Sequence, residues 1–369
     1  MYSIAIVIGF RNRDLNRVQW CLQALQQQSL QSFELIFVDY GSSAEVSAQV
    51  QTLLSNYAFA NYVFTDTRNC FWNRSHALNT GIQLANAPII LVSDIDLILH
   101  HLFLEKVAAL SFQSSFYTFG CFYLPENFAI NLANIHQQGI HYLQDYVGLC
   151  AFTRESVEQI RGFDEFFMVW GVEDDDFYSR LQQEGWERKH LPANDFGVFH
   201  QWHPTQRPDF PSFWYLTMVN YWHAKSTSPN LSEVTNWGQV VTNRLLPDLQ
   251  AQIQPNQTIV FEGNILYRYN QLSHCLLGTV STQPYTLCIQ AHYSDTTASA
   301  PSLFARWRYS SAKQKEVNGQ PHLPQKDMEM IQYYIGCNRQ RILDYRVWLT
   351  PQQLTVYMMI GSSLPAESC

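Results

Sequence analysis

Apolar runs and amphipathic stretches take turns along the first hundred residues. IAIVIGF (4–10) is continuously apolar, the pattern of a strand buried on both faces, and RVQWCLQALQQQ (17–28) then has helical period. FELIFVDYGS (33–42) predicts a second strand stopped at Gly41, NRSHALNTGIQLAN (73–86) a further helix, and PIILVSDIDLIL (88–99) another buried strand. Alternation of this kind with short connections predicts an α/β domain, Rossmann-like, with a mostly parallel sheet and helices on both faces. Ligands of such sheets bind outside the carboxyl ends of the strands. The polar residues there are Arg11, Asn12 and Arg13 after the first strand, Asp39 in the second, and Asp94 and Asp96 in SDIDL.

After about residue 225 the texture changes. STSPNLSEVTNWGQ is polar and turn-rich, NRLLPDLQAQIQ reads as a short helix, and TIVFEGNILYRY, YTLCIQAHY, LFARWRY, EMIQYYIG, RILDYRVWL and LTVYMMIG read as strands, rich in β-branched and aromatic residues. The expected organisation is an α/β domain over 1–225, a linker with a short helix over 226–257, and an all-β domain, a sandwich, over 258–369. Trp307, Tyr309, Tyr333 and Trp348 of that second domain are candidates for exposed aromatics or for its core.

A length of 369 residues is consistent with two domains. The formal charge of −8, from 31 acidic against 23 basic residues, excludes a surface that binds nucleic acid non-specifically, so any phosphate site must be local. Eight cysteines contain no C-x-x-C pair, which argues against a zinc knuckle or a disulfide framework and for small reduced core residues. The apolar run at the N-terminus is far shorter than the ~20 residues that span a bilayer. The expectation is a cytoplasmic protein with no transmembrane segment, of bacterial origin.

The most unusual string is VWGVEDDDFYSRL (169–181), which sets Glu173, Asp174, Asp175 and Asp176 side by side after an aromatic stretch. Acids in the first turn of a helix interact well with its dipole, and Phe177 and Leu181, one turn apart, with Gly185 as a stop, predict that helix. Four like charges beside Trp170 would repel unless a cation, a donor or a substrate hydroxyl is expected there. Asp94 and Asp96 form an Asp-x-Asp at a strand end, where alternate residues point the same way and can face one metal ion, or a metal and a ribose. His200 and His203, in FHQWHP, are spaced to reach one metal. Arg11, Arg13 and Arg74 suit bidentate contact with phosphate oxygens. Each string alone has a bland reading: a solvated strand end, packed histidines, surface arginines.

Together, FRNRD (10–14), WNRSHALNTG (72–81), SDIDLI (93–98), GLCAFTRESVEQIRGFDEFFMVWGVEDDD (148–176) and HQWHP resemble, in order, the β-1,4-galactosyltransferases and the broader inverting GT-A glycosyltransferases, including bacterial chondroitin-type polymerases. The resemblance covers roughly residues 4 to 205 and implies a GT-A catalytic domain. It implies that Asp96, His200 and His203 hold a divalent metal, manganese or else magnesium, with His200 standing where relatives commonly have methionine. Asp94 then contacts the nucleotide sugar, and Arg11, Arg13 and Arg74 line the nucleotide and its phosphates. Asp39 looks like the uracil-contacting acid of the wider class, with Tyr40 replacing the usual second acid. Trp170 and Gly171 match a loop that closes over the donor. Glu173 and Asp174 meet the acceptor, Asp174 as general base, while Asp175 and Asp176 cap the helix and hold the loop. Asp145 falls near the position at which relatives choose between galactose and its N-acetylated form, and an acid there leaves the sugar open.

The function so implied is metal-dependent, inverting transfer of a hexose or N-acetylhexosamine from a UDP-sugar to a hydroxyl of a glycan or glycoconjugate. Two other classes compete. A nucleotidyltransferase also uses strand-end carboxylates and a metal, but IGFRNRD lacks the Gly-rich phosphate loop usual there. A non-catalytic sugar-binding protein would have a decayed transferase domain, against which the acids and both histidines speak.

Overall fold

The computed structural model describes residues 2–135, 143–169, 171–204, 220, 237–238, 255–261, 268, 271–272, 285–293, 324–338, 341–350 and 352–361. The chain divides into two compact units, one made of residues 1–68, 72–209 and 217–242, the other of 69–71, 210–216 and 243–369.

The first unit runs β1 (Ile4–Phe10), α1 (Leu15–Gln26), β2 (Phe33–Tyr40), α2 (Ala44–Leu54), β3 (Ala60–Thr65), α3 (Arg74–Leu84), β4 (Ile89–Ser93), β5 (Leu97–Leu99), α4 (Phe103–Ala108), β6 (Ser115–Tyr123), β7 (Leu143–Thr153), α5 (Arg154–Gln159), α6 (Glu173–Gln183), β8 (Glu187–Leu191), α7 (Ala193–Phe196) and β9 (Val198–His200). Nine strands form one sheet in the order β3-β2-β1-β4-β7-β6-β9-β5, with β8 also on β6. The pairs β1–β2, β2–β3, β1–β4, β6–β8 and β6–β9 are parallel, and β4–β7, β6–β7 and β5–β9 antiparallel. The sheet is therefore mostly parallel, as the alternation predicts.

Strand periodicity splits the core in two. Ile4, Ile6, Ile8, Phe33, Leu35 and Phe37 pack on one face with Val18, Leu22 and Leu25 of α1. Ala5, Val7, Ile36 and Val38 pack on the other with Ala77, Leu78 and Ile82 of α3 and Phe177 and Leu181 of α6. Continuous apolar strands are thus explained by burial on both sides. The run expected as one strand over 88–99 is broken, because Asp94–Ile95–Asp96 forms a turn closed by the Leu97 amide on the Asp94 carbonyl (3.3 Å). Gly41 ends β2 at φ 74°, and a Cβ there would lie 2.5 Å from the Arg68 backbone nitrogen.

The second unit corrects the all-β expectation. Its described part holds a four-stranded sheet in the order β10-β11-β13-β12, made of β10 (Gln257–Val260), β11 (Tyr285–His292), β12 (Ile342–Leu349) and β13 (Gln353–Ile360), and also a 14-residue helix, α8 (Pro324–Cys337). EMIQYYIG, expected as a strand, lies in that helix. Met328, Ile331, Tyr334 and Ile335 are buried at helical spacing. Asp327 is fully buried and accepts hydrogen bonds from Arg268 Nη1 (2.7 Å) and the Tyr293 hydroxyl (2.8 Å). One sheet with a helix is not a sandwich among the described residues. The expected strand LFARWRY, the expected linker helix NRLLPDLQAQIQ, and Trp307 and Tyr309 lie outside the described residues. Tyr333 is exposed and Trp348 half-buried.

The seat of α3 on the sheet is tight at Gly81, where an added Cβ would lie 2.4 Å from Val7 Cγ1 and 3.2 Å from Val38 Cγ2. Alanine gains roughly 1 kcal/mol of helix propensity over glycine. Overpacking of a filled core costs typically about 1–3 kcal/mol. Gly81→Ala is expected to lower the urea midpoint. A midpoint that stays or rises would show that Val7 yields without cost.

Candidate active site

The Arg74 guanidinium is the centre of the acidic cluster. Nε donates to Asp94 Oδ1 (3.1 Å), Nη1 to Asp174 Oδ1 (2.8 Å) and Nη2 to the Gly148 carbonyl (2.9 Å), with Glu173 Oε1 3.9 Å from Nη1. Arg74 opens α3, and Asn73 fixes it there. The Asn73 side chain caps the helix by accepting from the His76 amide (2.8 Å) and donates to the Glu165 carbonyl (2.7 Å). One turn later, Asn79 donates to the Phe163 carbonyl (2.9 Å) and accepts from its amide (2.8 Å). The short polar residues of NRSHALN thereby fasten α3 to the segment that leads into the four acids.

That segment is strained. Val169, Gly171 and Val172 all have positive φ, 73°, 95° and 77°. For β-branched valine this is an outlier that persists only where neighbours enforce it. The Val169 amide donates to the Trp72 carbonyl (2.7 Å), and buried Asn220 donates to the carbonyls of Met168 (2.8 Å) and Gly171 (3.2 Å). Val172 caps α6 without a side-chain bond, and the four acids fill the first turn.

Their neighbours separate them. Glu173 is buried and Asp174 nearly so, both toward Arg74, whereas Asp175 is exposed. Asp176 pairs with Arg180 (2.8 Å), whose Nη1 donates to the carbonyls of Ile160 and Gly162. Burial pushes the Asp174 carboxyl up; Arg74 opposes this, but the charges of Glu173 and Asp94 add to it, and the group reaches about 8. Burial also raises Glu173, against the pull of Arg74.

Asp96 turns away from its partner in the Asp-x-Asp pair, because the intervening turn breaks strand alternation. Asp96 Oδ2 lies 3.1 Å from His203 Nε2, and Oδ1 3.6 Å from His200 Nε2. Ligand atoms of Asp96, His200 and His203 all lie within 4.8 Å of one another. The β5–β9 pairing, which sets Leu97 opposite His200, and the Gln201 amide on the Asp96 carbonyl (2.8 Å) bring the two strings together. The His200 ring stacks on Tyr123 with centroids 4.6 Å apart. Burial pushes the Asp96 carboxyl up, but the His203 hydrogen bond and the charges of His200, His203 and Arg17 outweigh it and the net shift is down. Burial lowers His200, and the Asp96 hydrogen bond raises His203. Asp96 Oδ1 is buried and accepts no hydrogen bond. One carboxylate and two imidazoles with a spare oxygen lone pair fit a divalent transition-type cation, manganese included.

Of the other expected residues, Arg13 is half-buried and feels the charges of Asp96 and Asp94. Arg11 points back into the domain: it donates to the carbonyls of Tyr40 (2.5 Å) and Thr67 (2.6 Å), with its guanidinium 5.1 Å from the Tyr40 ring centroid and 5.8 Å from that of Trp72. Asp39 departs most from expectation. It is fully buried, and its carboxylate accepts from the Ser42 amide (3.0 Å), Ser47 Oγ (2.6 Å) and Tyr62 OH (2.9 Å). These three donors make it a brace of the β2–α2 turn, not an open contact for a base. Tyr40 is equally buried, its hydroxyl 2.8 Å from His76 Nδ1. Trp170 lies outside the described residues, and for Asp145 the structure describes the backbone, paired with Gly120. No helix among the described residues is long and apolar enough to cross a membrane, and Cys21, Cys121, Cys150 and Cys288 are buried free thiols.

Two family profiles match the first unit: "Glycosyl transferase family 2" over residues 5–124 and "N-terminal domain of galactosyltransferase" over 133–204. The chain is 27% identical over 201 residues to β-1,4-galactosyltransferase 5 of Mus musculus, covering 54% of this chain and 42% of that one. It is 26% identical over 191 residues to β-1,4-galactosyltransferase 1 of Bos taurus, covering 50% and 37%. The chain thus spans about two fifths of the length of the curated relatives it matches. Among solved structures, S. aureus TarS 1-349 in complex with UDP-GlcNAc superposes with a TM-score of 0.45 at 12% identity, over 59% of this chain and 65% of that one. Both profiles fall on the unit that carries the Arg74 cluster and the Asp96–histidine set, and that unit is similar to family 2 glycosyltransferases and to the β-1,4-galactosyltransferases.

Proposed function

We infer that the chain is a metal-dependent, inverting glycosyltransferase that moves a hexose or N-acetylhexosamine from a UDP-sugar to a hydroxyl of a glycan or glycoconjugate. The observation that carries this reading is the bridge of Arg74 between Asp94, in the Asp-x-Asp turn, and Asp174, a carboxyl held near pH 8. It ties a donor-side acid to a proton acceptor through one side chain. The relatives' names, which specify galactosyl transfer with β-1,4 linkage, support the same reaction class.

Asp96, His200 and His203 are the residues that would hold the cation. When bound, such a cation supplies positive charge against the developing charge of a leaving diphosphate. Arg13, beside the same acids, adds a fixed positive charge for phosphate oxygens. Arg74 holds Asp94 at the donor side and keeps Asp174 turned into the cluster. Asp174 takes the proton of the acceptor hydroxyl as that oxygen attacks the anomeric carbon from the face opposite the leaving group, so one displacement inverts the configuration. A base whose pKa lies near the working pH is the efficient choice for this step. Glu173 raises Asp174 through its charge and lies on the same helical turn, where it can accept from a second acceptor hydroxyl. The choice of UDP rests on the family resemblance, since the Asp39 carboxylate is already engaged.

The metal assignment predicts that calorimetric binding of UDP depends on manganese and that Asp96→Asn weakens it at least tenfold. Equal UDP binding with and without manganese contradicts the ligand set, and a clear preference for GDP or CDP contradicts the donor.

The base assignment predicts that Asp174→Asn lowers transfer by roughly 10²–10⁴-fold, the range of general base catalysis. Affinity for manganese and UDP should change little, because the ligands Asp96, His200 and His203 are untouched. Near-normal transfer by this variant would move the role to Glu173.

A further inference from the structure

Beside the metal-ligand set, on the side lined by the start of α1, lies a cavity of about 420 Å³ that the proposed reaction does not use. Its walls include Arg17, Trp20, Asn127, Phe128, Trp202 and His203. It joins three stretches far apart in sequence: the first turns of α1, the segment after β6, and the residues that follow β9. Gln201 fastens two of these by donating from Nε2 to the Arg17 carbonyl (3.2 Å). The volume falls in the range of small-molecule sites, which combine apolar and aromatic walls with a few polar groups.

Two features restrict what fits. Trp202 is 43% exposed, an uncommon position for the largest apolar side chain, and with Trp20 and Phe128 it offers aromatic faces next to the amide of Asn127. Flat aromatic surface beside amide donors and acceptors suits a sugar ring, with C–H faces on the indole and hydroxyls on the amide. The second feature is Arg17, which is only 8% exposed and whose Nη1 has no hydrogen-bond partner. A buried guanidinium with an unmet donor is costly unless a ligand supplies the acceptor. Asp14, in the cavity wall, is committed to the Asn16 amide (2.7 Å) at the start of α1, and Asp96, whose carboxyl the Arg17 charge helps to lower, is bonded to His203 (3.1 Å).

We propose that this cavity is a saccharide subsite for a carboxylated sugar, whose ring packs on Trp202 and Trp20 and whose carboxylate pairs with Arg17. His203 belongs both to its wall and to the ligand set, so the sugar in it is part of a saccharide substrate that reaches the metal site. That last assignment rests on the glycosyl-transfer reading, whereas binding is measured without transfer, so the two can fail separately.

The test is a ligand-observed NMR titration of the full chain with methyl β-D-glucuronide and methyl β-D-glucoside, without donor. The glucuronide should bind at least about tenfold more tightly, the usual worth of a charge-assisted hydrogen bond. Arg17→Gln should abolish the preference and Arg17→Lys restore part of it. Trp202→Ala, at an exposed position that leaves the fold intact, should weaken both glycosides, and Asp174→Asn should change neither. Equal affinities, no saturation by either glycoside, an unaltered preference in Arg17→Gln or unchanged binding in Trp202→Ala would overturn the proposal. Displacement of the glucuronide by an equal concentration of inorganic phosphate would also overturn it, by showing a bare anion site.

Discussion

One guanidinium held among three carboxylates organises the site. Asp94 comes from the turn after β4, Glu173 and Asp174 from the start of α6, and Arg74 from the start of α3. Without the cation, three acids in a largely buried space would repel one another or take up protons. Arg74 lessens both tendencies but does not abolish them, and Asp174 stays near 8. Buried ion pairs of this kind add little net stability, because desolvation offsets most of the attraction. What the pairing supplies is position: it ties the turn carrying Asp94 to the helix carrying Asp174.

The surrounding backbone is arranged to keep that position. Asn73 and Asn79 bind the segment over 163–165 with side-chain amides, and the carbonyls of Trp72, Met168 and Gly171 are all engaged. Val169 and Val172 stay in the left-handed region at a cost of about 1–3 kcal/mol each. Strain at the entry to α6, opposed by bonds from α3, keeps Glu173 and Asp174 facing Arg74 instead of solvent, where Asp175 points. Four consecutive acids therefore have three environments: two in the cluster, one in water, and one bonded to Arg180.

Strands β1, β2 and β4 and helices α1 and α3 are legible in the sequence because burial on both sides of the sheet leaves a dense apolar pattern. Residues between 43 and 72 carry a weaker signal: α2 buries only Val50 and Leu54, and β3, at the sheet edge, only Thr65. EMIQYYIG misleads because its aromatic and branched residues suit a strand, while burial at helical spacing selects a helix. The strings that supply Asp96, His200 and His203 are legible because each is local, and strand pairing then unites them. Asp39 is not legible in the same way. Its role depends on Tyr62, 23 residues away, and Ser47, neither of which the string VDYGS contains. Arg74 is expected from the sequence as a phosphate contact, whereas the structure engages it with Asp94 and with Asp174, 100 residues on, a bridge that has no signature in sequence. Arg17 gave no signal at all, since an unmet donor exists only in three dimensions.

The claim that Arg74 joins Asp94 and Asp174 into one electrostatic unit is tested most directly by titrating the Asp174 carboxyl carbon by NMR in the metal-free protein, assigned through its loss in Asp174→Asn. The account predicts a midpoint near 8 in the native chain, and a higher one in Arg74→Met, where the compensating cation is gone. A midpoint in the ordinary aspartate range near 4, unmoved by Arg74→Met, would contradict it.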